Sequence, residues 1–548
     1  MLDDKSAIMR KVKKTLILLL LFLLPTILLF LVLSIKNTRG PYYIGHIYDP
    51  DYVYLLGSLN AADFKPSKMT FHPGIPVQMI GGLILRIPSL THAYSNLQED
   101  VLKKPEYYLN RLNYFVIAIN VILLISVGIV IYFLTGDVFA SLIIQMTPFL
   151  SDSILFCLTR YNPEPFLLFS SLLLIFVIVI KSLKIKGDNW RFILLFAIIA
   201  GFGLAVKVTF FPLLIIPIFI FKKLSSILKY ISLTIITFFV FFIPYNERIF
   251  TSLGWWWNLI THKGIYGKGS SGFIDTRIIL PNIEKLFLRE PIFIYIFIFL
   301  IAFIILNLAI SGLRKIACGS LMFKILIVVA AIDIIGLVMV SKHFGVPYLI
   351  PVYSLSGLAI LFIYLYLKAL SIKFKFNFKI VKLSFIFFMI GFFIYFNLPS
   401  TKYFSIRRSE KLNTYRKVLN EYNGYNKISY YGSTSKLYAL YFGNHWIGND
   451  HTNVLNSIYG SEVYFVDFKR KSFFSWDGRI SPGWLSQNHK KTIMYGPPIT
   501  ETRRKLNISE IIQKILTENN LILINTMPNN KYETIFKFET LKPDAKTN

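Results

Sequence analysis

Hydrophobic positions along this chain fall in long unbroken runs separated by short polar stretches, with little of the alternation that marks half-buried strands. The first run, Leu16 to Ile35, follows a short basic segment, Met1 to Lys14. It has about the 20 residues needed to cross a bilayer. It exceeds the roughly 7–15 residues of a signal-peptide core, and no small-residue cleavage site follows it. The pattern therefore predicts a retained membrane helix with its N-terminus in the cytoplasm.

Walking on from that start gives about eleven membrane helices. The second, about Leu109 to Leu134, returns to a tight turn at Thr135-Gly136-Asp137, and the third runs out to Arg160-Tyr161-Asn162-Pro163-Glu164-Pro165. The fourth ends at the basic loop Lys181 to Lys186. The fifth and sixth turn near Lys207-Val208-Thr209 and finish at Phe221-Lys222-Lys223. Later crossings end at Pro244-Tyr245, Arg314-Lys315, Lys342-His343, the basic run Lys368 to Lys382, and about Leu398. Lysine and arginine clusters thus fall in the loops assigned to the inner side, as the positive-inside rule requires. The expected architecture is a polytopic α-helical membrane module, residues 1–399, with outer loops at about 36–108 and 246–289.

Residues 400–548 then form an extracytoplasmic tail long enough for one small domain. Short strands are predicted at Lys427–Tyr431, Glu462–Phe468, Thr492–Tyr495 and Leu521–Asn525, and helices at Ser435–Tyr441 and Ser509–Glu518. Strands alternating with helices predict a C-terminal α/β domain. It shows no catalytic triad, metal-ligand spacing or glycine fingerprint.

Composition agrees with a membrane assignment. The 548 residues are 54% hydrophobic and only 16% charged, against roughly 25% charged for soluble globules. The net charge of +30 would suggest nucleic acid in a soluble protein. Here the basic residues sit in loops between apolar runs, so orientation accounts for them and nucleic acid is not an expected partner. Cys157 and Cys318 are the only cysteines and provide no disulfide framework.

The polar groups able to do chemistry fall on the outer side: Asp49, Asp51, His72, Arg111, Arg160, Glu164, Lys207, His262, Lys342 and His343. Asp49-Pro50-Asp51 is either a loop turn or a source of a general base near the bilayer surface. Two aspartates so spaced can also hold a divalent cation through oxygen ligands. Lys207 interrupts an apolar stretch. It either snorkels to the interface or faces a cavity or partner, where its ammonium can bind a lipid phosphate. Lys342, His343 and Arg160 can serve similarly, and Glu164 can instead pair with one of these cations. Trp255-Trp256-Trp257 reads as an interfacial belt. The glycine-rich stretch after His262 lacks the spacing of a phosphate loop and reads as a flexible lid.

Taken in order, these motifs resemble the type-C glycosyltransferase superfamily, in the branch holding protein O-mannosyltransferases and lipid A aminoarabinose transferases. Asp49-Pro50-Asp51-Tyr52 looks like that branch's acidic motif, His72-Pro73-Gly74 like its His-Pro-Pro element, and Arg111-Leu112 like the arginine opening its next helix. Asn162-Pro163-Glu164-Pro165 stands where the family often has an aspartate. Gly203-Leu204-Ala205-Val206-Lys207 resembles a Gly-Leu stretch ending in Thr-Lys, and His343 to Pro351 a late Tyr-Leu-x-Pro motif. The chain departs from the pattern at Pro50-Asp51, which replaces glutamate, and at Gly74, which replaces the second proline.

The resemblance implies a donor sugar on a polyprenyl phosphate, its phosphate held by Lys207 with Arg111 or Arg160. It also implies a carboxylate, Asp49 with Asp51 in reserve, that deprotonates an acceptor hydroxyl for one inverting displacement. The acceptor would be a glycan, a lipid or a protein, and the location a cell membrane. The competing readings are a polyprenyl-linked glycan polymerase or flippase, and a non-enzymatic receptor or scaffold. A flippase should carry charges deep in several helices, whereas here Asp333 is the internal exception.

Overall fold

The computed structural model describes residues 2–540 apart from 70–73, 88–95, 186, 244–246, 265–266, 273–275, 343–344, 398, 461–463, 468–471, 477, 480–490, 498–520 and 529–532. His72, His343 and the expected helix Ser509–Glu518 lie outside the described residues, as does the side chain of Lys342.

Among the described residues, seven helices are long and apolar enough to cross a membrane: Thr15–Arg39, Pro105–Thr135, Pro163–Leu183, Leu224–Phe242, Pro291–Ala309, Leu321–Met339 and Val346–Phe374. Each coincides with an expected crossing. The third, fifth and sixth expected crossings are shorter or broken. The third is split into Val138–Gln145, a 3₁₀ turn Thr147–Leu150 containing Pro148, and Asp152–Leu158, whose N-cap is Ser151. Proline cannot donate the helix bond at that point, and the serine side chain caps a new start. The fifth is Trp190–Val206, and the sixth is a 3₁₀ segment Val208–Leu214 with Pro212 inside, continuing as Ile215–Ile220. The eleventh is the helix Phe378–Asn397.

The chain divides into two compact units. The first comprises Met1–Ile35, Met69–Met79 and Asn113–Leu398; the second comprises Lys36–Lys68, Ile80–Leu112 and Pro399–Asn548. The tail therefore forms a compact unit with Lys36–Lys68 and Ile80–Leu112.

In the first unit, lipid tails are as apolar as leucine, so helix association relies on close packing and buried hydrogen bonds. Gly357 shows why a small residue is needed: a Cβ there would lie 1.9 Å from Thr147 Oγ1. Buried Gln145 ties three helices by donating to the carbonyls of Leu21 at 2.9 Å and Leu124 at 3.3 Å. The tight turn at Asp137 is held by its carboxylate, which caps Phe139 N–H at 3.0 Å and accepts from Tyr364 Oη at 2.9 Å and Lys368 Nζ at 2.5 Å. The 246–289 loop is largely helical, with Ile249–Thr261 and Thr276–Arg289. Trp255 is buried, and Trp256 packs at a tilt against Phe238 and Phe242. Only Trp257, 66% exposed, keeps the solvent-facing position a belt residue needs.

In the second unit, the tail is an α/β domain around a seven-stranded sheet. Its strands are β1 (Asn426–Tyr430), β2 (Tyr464–Asp467), β3 (Ser472–Ser475), β4 (Gly478–Arg479), β5 (Lys491–Gly496), β6 (Leu521–Pro528) and β7 (Thr534–Thr540), in the order β4-β3-β2-β1-β5-β7-β6. The centre, β2-β1-β5, is parallel, and the flanking pairs are antiparallel. Central parallel strands are covered on both faces and read as continuous apolar runs, as in Ile493-Met494-Tyr495 of β5, all buried. The helix Pro399–Asn420 contributes Val418 to a core with Tyr422, Ile493, Tyr495 and Ile535. The helix Lys436–Trp446 lays Tyr441 flat on Phe465 of β2, with ring centroids 4.2 Å apart.

Candidate functional site

The segment bearing the two aspartates is the start of a helix. A 3₁₀ turn Gly45–Ile47 leads into Tyr48–Ala62, with both acids in the first turn, where negative charge opposes the helix dipole favourably. Asp49 itself keeps non-helical angles (φ −94°, ψ 109°), and the Asp49–Pro50 peptide bond is cis.

The two aspartates have different surroundings. Asp51 is fully buried, and it is among the charges acting on Tyr42 and Glu106. Glu106 accepts from Tyr42 N–H at 2.9 Å and from Tyr52 Oη at 2.8 Å. Burial, then the nearby Glu106 carboxylate, push the Tyr52 hydroxyl well above the ordinary tyrosine range, so it remains a donor. Asp49 is half-buried, and its Oδ2 accepts from Tyr431 Oη at 2.9 Å.

Tyr431 follows β1 directly, at the carboxyl end of the central parallel strands, the position where open α/β sheets usually receive a ligand. Here that position receives the 45–52 segment. Gly432 N–H donates to Tyr48 Oη at 2.6 Å, and Gly45 N–H donates to Thr434 Oγ1 at 3.3 Å. Gly432 has φ +92°, and a Cβ on it would lie 2.5 Å from His46 Cε1, so glycine is required on both counts. The His46 ring packs on Tyr431, centroids 4.8 Å apart. Thr434 is fixed in turn by Glu533, whose Oε1 accepts from its N–H at 3.0 Å and from its hydroxyl. Burial, only partly offset by Lys411 and the Thr434 bonds, raises the Glu533 carboxyl to about 7. A second cluster joins the tail to the same helix: Asp450 accepts from Asn60 Nδ2 at 2.8 Å and Lys68 Nζ at 2.5 Å. Arg111, also in this unit, lies half-buried with its guanidinium 6.0 Å from the Tyr107 ring centre.

In the first unit, Lys207 and Glu164 meet. The ammonium donates to Glu164 Oε1 at 2.5 Å with both side chains almost wholly buried, and it sits 4.6 Å from the centre of the Tyr348 ring. Glu164 stands in the first turn of Pro163–Leu183, a helix that begins with Pro163 at the position where its missing N–H costs nothing. Lys207 caps the C-terminus of Trp190–Val206 on extended backbone. A buried, paired lysine is not snorkelling to the interface. Two chain neighbours of the pair, Asn162 Oδ1 and Thr209 Oγ1, are buried with no hydrogen-bond partner among the described residues. Arg160 is half-buried, 6.0 Å from the Phe156 ring, and its carbonyl accepts from Asn113 Nδ2 at 2.9 Å.

His262 bonds Thr261 Oγ1 through Nδ1 at 2.9 Å and bridges to Ser271. The glycine-rich stretch is pinned by Lys263 N–H to Ser270 O, Gly269 N–H to Lys263 O and Gly272 N–H to Thr261 O. What the sequence suggests as a lid is thus, in its described part, a hydrogen-bonded hairpin. Among the described residues, no group of three or more His, Cys, Asp or Glu could hold a metal ion.

Glu106, Tyr431, Thr434 and Glu533 escape a reading of the sequence, being single polar residues without a motif.

No protein-family model matches the chain, and no curated protein matches it. Among solved structures the chain is similar to the crystal structure of ArnT from Cupriavidus metallidurans bound to undecaprenyl phosphate, at 9% identity and a TM-score of 0.46, over 94% of this chain and 97% of that one.

Proposed function

We propose that this protein is an integral-membrane glycosyltransferase that moves a sugar from a polyprenyl-phosphate donor to an acceptor hydroxyl on the extracytoplasmic face, with Asp49 as general base. The observation that carries the reading is the contrast between the two aspartates. Asp49 is half-buried, with one oxygen held by a neutral donor, as a base that must meet a substrate requires. Asp51 is fully buried among other charged and hydroxyl groups and serves the scaffold.

The Lys207 site supports the donor half. An ammonium enclosed by apolar helices, with an aromatic face beside it, can hold a phosphate as a point charge. Its carboxylate partner, Glu164, balances the buried charge in the absence of ligand, and a phosphate would displace or share it. In a single displacement the hydroxyl oxygen attacks the anomeric carbon as its proton passes to Asp49. The carbon–phosphate oxygen bond breaks, and the configuration inverts. The leaving phosphate needs charge stabilisation rather than a general acid. Arg111, Arg160, His262 and, beyond the described side chains, His72, Lys342 and His343 are further candidates for binding substrate.

The test is transfer of labelled sugar from polyprenyl-phosphate donors by purified protein in detergent, with Asp49→Asn alongside. The expected result is transfer by the native protein and a loss of at least about 100-fold in the variant, the range a general base supplies. Activity retained in the variant would defeat the base assignment.

A further inference from the structure

The base proposed above, taken alone, leaves the tail domain without a part in the chemistry. We infer that Tyr431 of the tail is a positioning residue for Asp49, so that the C-terminal domain completes the catalytic base. The inference rests on the reading above and names the group that sets the base's geometry.

Three observations carry it. The Tyr431 hydroxyl donates to Asp49 Oδ2 at 2.9 Å across 382 residues of chain. The ring is itself fixed on several sides, by His46 at 4.8 Å, Phe442 at 5.7 Å and Tyr48 at 6.2 Å between centroids. The backbone beside it is locked to the same turn through Gly432 N–H and Tyr48 Oη. A tyrosine held only as packing would not need its hydroxyl on a carboxylate, and Asp49, with non-helical backbone at the helix start, is not oriented by regular helix geometry. A donor fixed by its own packing restrains the plane of the carboxylate that it bonds, and hence the direction from which that carboxylate can meet an acceptor proton. Such orientation is where small displacements cost most in rate. The titratable and charged groups around this turn are His46 and Tyr48 on the same segment, and Lys411, Tyr431 and Tyr438 from the tail.

A hydrogen bond donated to the ionised form favours that form. Tyr431→Phe keeps the ring and removes the donor. We expect kcat for sugar transfer to fall about tenfold, within the range for a charge-assisted bond, with KM for the donor within about twofold. We also expect the acidic limb of the pH–rate profile to move to higher pH. The control is Tyr430→Phe, which deletes a buried bond of the same domain, Tyr430 Oη to Pro497 O at 2.6 Å, without touching Asp49. It should lower the melting temperature and leave the profile in place.

If Asp49→Asn is inactive but Tyr431→Phe has the native profile, or if Tyr430→Phe shifts the profile equally, the positioning role is overturned and the transferase reading stands. If Asp49→Asn remains active, the base assignment falls and takes this inference with it.

Discussion

At the scale of single residues, what matters is which charges are shared and which are held ready. Lys207 and Glu164 form a nearly dry pair, and such a pair is hard to explain by stability alone, because desolvation consumes much of the attraction. A ligand-binding role predicts a split between the two partners. Lys207→Ala should weaken donor binding roughly tenfold or more, through loss of a charge-assisted contact, as read by titration with polyprenyl phosphate. Glu164→Gln should retain binding, since the cation remains. Equal loss in both variants would mark the pair as structural. The sequence placed Lys207 on the outer side and offered Glu164 as a partner for one of the cations, because charge in an apolar run stands out. It could not show Tyr431, which lies 382 residues from Asp49 and is one of 32 tyrosines.

At the scale of elements, the long helices were legible because their apolar runs match bilayer thickness. The broken ones were legible only as hydrophobicity, since Pro148 and Pro212 divide them without making them polar. In the tail, β1, β2, β5, β6 and the helix after β1 follow β-branched, aromatic and capping signals. The short strands β3 and β4 lack length to register, and the joining of the tail to residues 36–68 depends on scattered polar contacts. Among them is Glu533, with its carboxyl raised to about 7 by burial. An acid with a raised folded-state value binds more protons folded than unfolded. Stability therefore falls as pH rises from the ordinary glutamate value of 4.5 to about 7, and levels off above it. Glu533→Gln should flatten that part of the dependence, measured as tail melting between pH 4.5 and 8. An unchanged slope would show that Glu533 is not the titrating group.

At the scale of the whole molecule, the distribution of lysine and arginine predicts that residues 36–68 and the tail lie on the extracytoplasmic side. Cys318 provides a probe, because it is exposed, whereas Cys157 is buried. It lies in the short helix Ser311–Gly319 beside Arg314 and Lys315, which the charge pattern places in the cytoplasm. A membrane-impermeant maleimide should label it only after cells are permeabilised; labelling of intact cells would invert the topology. The claim on which everything else depends is that Asp49 takes the acceptor proton. Its most direct measurement compares sugar transfer from a polyprenyl-phosphate donor by native, Asp49→Asn and Asp51→Asn proteins, with melting curves for each. The account predicts that Asp49→Asn melts like the native protein and is at least about 100-fold slower, while Asp51→Asn is destabilised. An Asp49→Asn protein that transfers sugar at the native rate would contradict it.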